Sequence, residues 1–155
     1  MPIKAFLSYA HADEGWRAKL EPNLILLQRS GLLKIWCDHE IKPGHEWDDE
    51  IKGKLEEAEL YIFLVSAALL ASEYVYKVEI PIALKRMQTN NARLVPLIIR
   101  DCNWKKSEFG EFQVLPTGGR AIKKWRDHDT AFSNVEEGLR KTILEMQKSL
   151  LTPND

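Results

Sequence analysis

Residues 60–66, LYIFLVS, are apolar almost throughout, and a run of that length without polar alternation reads as a strand covered on both faces. Such a strand needs helices on each side of its sheet. Val65 and Ser66 end the run, Ala67 and Ala68 turn the chain, and an amphipathic segment then carries Glu79 among Val75, Val78 and Ile82. In open α/β sheets ligands gather outside the carboxyl ends of strands, so a carboxylate placed just after such a strand is a candidate functional group.

The rest of the chain repeats the strand-then-helix pattern. IKAFLSY (3–9) is β-prone and stops at His11-Ala12-Asp13, where Asp13 is the expected helix N-cap. Trp16, Leu20, Leu24 and Leu27 recur at helical spacing up to Gly31, with Pro22 predicting a kink or a split. LLKIWCD (32–38) is a second strand, followed by a polar loop with Pro43-Gly44 as its turn. Trp47, Ile51 and Leu55 mark the next helix, and Asp48, Asp49 and Glu50 lie in its first turn, where the helix dipole favours them. After the 60–66 strand a helix is expected over about 73–88, a strand over RLVPLIIR (93–100), a short strand near Ala121–Trp125, and a helix from about Thr130 to Lys148. Alternation of this kind predicts an α/β fold whose central sheet is mostly parallel and five-stranded, with right-handed crossovers.

A chain of 155 residues fits one domain. We place that domain at residues 1–150, with 151–155 as a frayed tail. A net charge of −1 makes no electrostatic case for nucleic acid or an anionic membrane. No run approaches the ~18 apolar residues of a spanning helix, and the first residues are too short a hydrophobic stretch for a signal peptide. Cys37 and Cys102 lack metal-ligand or redox spacing, and His11, His39, His45 and His128 show no ligand pattern, so reduced thiols, no metal and a cytoplasmic protein are expected.

Several nucleotide-binding designs are absent. The first strand is followed by YAHAD, not by a glycine-rich turn, and there is no G-x-S-x-G. What remains resembles a TIR (Toll/interleukin receptor) domain of the bacterial, NAD-cleaving kind. The resemblance is carried by FLSYAHAD (6–13), GLLKIWCDHEIKPGHEW (31–47), LYIFLVSAALLASEYVYKVEI (60–80), RLVPLIIRDCNW (93–104) and LPTGGRAIKKWRDHDTAFSNVEEGLRKTI (115–143), in the family's order. It implies a flavodoxin-like fold and, as activity, cleavage of the nicotinamide–ribose bond of NAD, with NAD as substrate and no cofactor.

The resemblance also implies roles. Glu79 matches the catalytic glutamate. Nicotinamide leaves a pyridinium as a neutral group, so one carboxylate facing an oxocarbenium-like ribose is enough, whereas an ordinary glycoside uses two. The alternative for Glu79 is a solvated helix face or an ion pair with Lys77 or Lys85. Ser8, Tyr9, Ala10 and His11 match the family segment that faces nucleotide, and Asp38, Trp47, Ser66 and Tyr74 are further candidates for binding substrate. For Trp47, packing with Ile51 and Leu55 is the reading its spacing favours, while Tyr74 has packing on the sheet as its equal, and Ser66 a plain turn role. Two departures stand out: Val75 occupies a place where many members carry tryptophan, and Pro81 falls two residues after Glu79. The loop with Ile41, Lys42, Pro43 and Gly44 matches a self-association loop, and other TIR protomers are the implied partners. Any sensing module would lie outside this chain. Hydrolysis to ADP-ribose and cyclisation to an isomer share their first step, and a non-catalytic TIR interaction module is the competing function.

Overall fold

The structure, a computed structural model, describes residues 1–37 and 47–151. Strands β1 (Ile3–Ser8), β2 (Leu33–Cys37), β3 (Leu60–Val65) and β4 (Arg93–Ile98) form one sheet in the order β2-β1-β3-β4, with every neighbouring pair parallel. The chain moves outward from β1 to β2 and then returns to the other side of β1 for β3. That reversal creates a switch point between the carboxyl ends of β1 and β3, the place where open α/β sheets take their ligands.

Helices α1 (Glu14–Arg29) and α5 (His128–Leu151) cover one face of the sheet; α2 (Trp47–Glu57), α3 (Ala67–Leu70) and α4 (Ile80–Asn90) cover the other. The six residues of β3 are fully buried, as their unbroken apolar run requires. Leu60, Ile62 and Leu64 meet Leu24 and Leu27 of α1 and Val135 and Leu139 of α5 in one cluster, while Tyr61, Phe63 and Val65 join Ile51, Leu55 and Ala83 in the other. Two-residue alternation along a strand thus feeds two cores. Gly31 closes α1 at φ 73°, the left-handed conformation that suits glycine.

Two expectations need correction. Ala121–Trp125 is not a strand: Ile122–Lys124 forms a 3-10 turn, and the sheet has four strands among the described residues. The outer edge of β4 is met instead by Leu115, whose amide donates to Pro96 O at 3.0 Å and whose carbonyl accepts from Ile98 at 2.8 Å. Ala121 and Ile122 are buried, and five residues are too few for burial pattern to separate a strand from a packed turn. Pro22 does not split α1, which runs as one helix through it. Buried Leu20 precedes the proline and buried Leu24 and Leu27 follow it, so both halves are packed into the same core.

Tyr61 is buried and donates its hydroxyl to Leu55 O at 2.5 Å. Burial pushes its phenol up to about 12. The unfolded chain ionises this group near pH 10, so its contribution to stability is complete below that pH and is lost as pH rises toward 12. Denaturant titrations across this window are expected to show a falling stability for the wild type, and a shallower fall for Tyr61→Phe. An unchanged slope in the variant would count against it.

Cys37 and Cys102 are free thiols. Among the described residues no helix is long and apolar enough to cross a membrane.

Candidate active site

β1 ends at Ser8 and β3 is followed at once by Ser66, so the switch point is flanked by two serine hydroxyls, both buried. Each serves a carboxylate delivered by another element. Ser8 Oγ donates to Glu79 Oε1 at 2.5 Å, and Ser66 Oγ donates to Asp13 Oδ2 at 2.5 Å. Ser66 also accepts from the Leu69 amide at 3.2 Å and so caps α3.

Glu79 is 4% exposed. The reading of a solvated helix residue is therefore overturned; Lys77 pairs with Glu73 at 3.2 Å. The local backbone explains how the carboxylate reaches inward. Residues Val75–Glu79 form a π-helical turn, closed by a hydrogen bond from Ile80 N to Val75 O, and α4 begins directly after it. Pro81 falls in the first turn of α4, directly after the π-turn, and its fixed φ suits the helical backbone there. Glu79 thus stands in a widened turn of a helical run that continues from residue 73 to 90, with φ −71° and ψ −48°, and not at the helix break that Pro81 predicts. π-turns are rare and concentrate at functional sites.

The wider turn also changes which residue neighbours Glu79. Val75, four residues earlier, is buried in the core. Tyr74, five residues earlier, is close enough that the charge of Glu79 contributes to its behaviour: burial pushes the Tyr74 phenol far above its usual range, helped by its hydrogen bond to Asp48 and by the charges of Asp48 and Glu79. Tyr74 Oη donates to Asp48 Oδ1 at 2.8 Å, and the Tyr74 ring lies 4.5 Å from that of Trp47 at an interplanar angle of 49°. Asp48 also pairs with Lys52 at 3.0 Å, and Lys52 first, then Tyr74, holds its carboxyl below the usual range. Trp47 is 48% exposed, so it is not a core residue packed with Ile51 and Leu55. An aromatic pair is thus formed with one ring anchored on Asp48 and one open, and Tyr74 is its member within reach of the Glu79 charge.

Of the segment after β1, Tyr9 is buried, with the Arg17 guanidinium 5.8 Å from its ring centroid; Ala10 is half-buried and His11 is exposed on a 3-10 turn (His11–Asp13). Asp38, Ile41, Lys42, Pro43 and Gly44 lie outside the described residues.

Asp13 corrects a further expectation. It occupies the N-cap position of α1 but makes no side-chain cap. Its carboxylate is fully buried and turned inward to Ser66, and Arg100, just beyond β4, brings Nη2 to within 2.8 Å of Oδ1. A carboxylate so buried must be matched by charge and hydrogen bonds, which outweighs a surface cap. Arg100 escaped the sequence reading; the available signal was a basic residue directly after an apolar strand, at the same edge as the two serines.

The family model of the TIR domain matches residues 5–141. The chain belongs to the TIR domain family. A Sinorhizobium fredii protein, y4lF, is 34% identical to this TIR domain over 148 residues, which is 96% of this chain and 46% of that protein. The chain thus spans about half the length of this relative. One chain of the crystal structure of the RPS4 and RRS1 TIR domain heterodimer superposes with a TM-score of 0.57 at 11% identity, covering 93% of this TIR domain and 99% of that chain. At that identity the likeness concerns the fold.

Proposed function

We propose that this TIR domain cleaves the nicotinamide–ribose bond of NAD, giving nicotinamide and either ADP-ribose or a cyclic isomer. The observation that carries the reading is the Ser8–Glu79 pair at the β1/β3 switch point. A fixed anion there stabilises positive charge developing on the ribose as neutral nicotinamide departs. Ser8 holds one oxygen of that anion, and a ribose hydroxyl entering the site would donate to the same carboxylate in its place. The Trp47–Tyr74 pair offers a face for a flat heterocycle. Capture of the cation by water gives hydrolysis, and capture by a ring nitrogen of the same molecule gives cyclisation.

The direct test is incubation of purified protein with NAD, at low and high protein concentration, with nicotinamide and the ribosyl product separated by chromatography. Release of nicotinamide supports the reading; none at any concentration overturns it. For Trp47→Ala we expect KM to rise about tenfold, the worth of one aromatic contact of about 1.4 kcal/mol, with kcat nearly unchanged. A lowered kcat at constant KM would remove Trp47 from the binding face.

A cytoplasmic enzyme of this kind fits self-associating defence signalling, with other TIR protomers as partners and the trigger supplied outside this chain. The second reading is a non-catalytic TIR module that binds other TIR domains. It draws on the 4% exposure of Glu79 and on Val75 being part of the core. It predicts concentration-dependent association, seen by sedimentation, that survives Glu79→Ala while NAD stays intact.

A further inference from the structure

Asp13 links three elements at the carboxyl edge of the sheet. Its amide donates to Ala10 O at 2.8 Å and closes the turn after β1, five residues beyond Ser8. Its carboxylate accepts from Ser66, which starts α3 and the segment leading to the π-turn of Glu79. Arg100, at the end of β4, supplies the opposite charge at 2.8 Å. The two partners of the Ser8–Glu79 bond are thus launched from two turns that meet on one buried carboxylate.

The charge on that carboxylate is matched from one side. Asp13 Oδ1 has the Arg100 ion pair but no well-directed hydrogen bond, and the buried Arg100 Nε has no hydrogen-bond partner among the described residues. A pair held by charge and not by a bidentate fork tolerates small shifts of the turns it joins, but not loss of either charge. Arg100 is 35% exposed, so the cation keeps part of its hydration while Asp13 keeps none. Loss of Arg100 therefore leaves Asp13 to seek water, which pulls on the turn after Ser8.

We propose that Asp13 and Arg100 are positioning residues for the Ser8–Glu79 pair. They touch no reacting atom; their effect reaches Glu79 through the two serine-bearing turns. The inference rests on the reading of Glu79 as the reacting carboxylate, and its test separates the two. Wild type, Ser8→Ala, Arg100→Met and the double variant are compared as full chains in two measurements: kcat for nicotinamide release well below the unfolding temperature, and the carbon resonance of the Glu79 side-chain carboxyl. Arg100→Met is expected to lower kcat about tenfold when Ser8 is present and less than about twofold in the Ser8→Ala background, since groups acting through one contact are not additive. It is also expected to move the Glu79 resonance in the same sense as Ser8→Ala does. An equal factor in both backgrounds, or a Glu79 resonance unmoved by Arg100→Met, overturns the proposal. Should Arg100→Met not fold, Arg100→Lys enters the same comparison, with a smaller shift in the same sense expected and no shift overturning it. Absence of nicotinamide release by the wild type would sink the proposed activity alone, because the resonance comparison still decides the positioning role.

Discussion

Replacing Glu79 by glutamine is expected to lower nicotinamide release by about 10²-fold or more, the usual scale for losing one preorganised electrostatic group in a water-poor site. The substitution is nearly isosteric, and the amide oxygen still accepts from Ser8, so the π-turn and α4 keep their packing. What disappears is the anion. In free-energy terms a hundredfold loss is about 2.7 kcal/mol of transition-state stabilisation, and it falls on kcat because the charge it answers to develops only as the glycosidic bond breaks. The thermal midpoint is expected to hold or rise, since removing a buried charge relieves desolvation. A variant that still turns over NAD at the parent rate would remove Glu79 from the chemistry, whatever its burial.

The largest effect on stability is expected for Phe63→Ala. Phe63 lies in the middle of β3, is fully buried, and packs its ring 5.2 Å from that of Phe109 in the core beneath α2 and α4. Truncating a buried phenylalanine costs about 3–5 kcal/mol through lost transfer energy and the cavity left behind, a large part of the roughly 5–15 kcal/mol that holds a domain together. Denaturant titration should show the midpoint falling while the slope stays near that of the parent. A cost below about 1 kcal/mol would mean that the surrounding side chains collapse into the space, which a close-packed central strand resists. Because Ser66 continues directly from β3, loosening this strand also disturbs the edge that carries the Ser66–Asp13 hydrogen bond.

The four strands were legible because each is a short apolar run bounded by polar residues, and β3 even declared its two-sided burial. Ser8 is a candidate through the family resemblance and Ser66 as a strand end, but the carboxylates their hydroxyls serve, Glu79 and Asp13, come from distant segments, and those pairings left no local signal. Asp13 and Arg100 were not legible as a pair, since local spacing cannot report a partner 87 residues away, and an aspartate before a helix satisfies the capping pattern equally well. Trp47 misled through the opposite fault: it keeps helical register with Ile51 and Leu55, but it is the first residue of α2 and escapes their burial. The turn at 122–124 failed because packing in the absence of a ladder looks, over so few residues, like a strand.

The π-turn at Val75–Glu79 has a consequence for how this chain is compared with its relatives. An α-helix advances about 100° per residue, so a turn that holds one residue more puts everything before it out of phase with everything after it. Column-by-column matching counts residues, whereas the site counts angles. In an ordinary helical turn the residue four places ahead of Glu79 would share its face; across the π-turn that phase falls to Tyr74, five places ahead. Under the proposed reading of Glu79, Tyr74 is then the residue in phase with it, while Val75 is turned into the core.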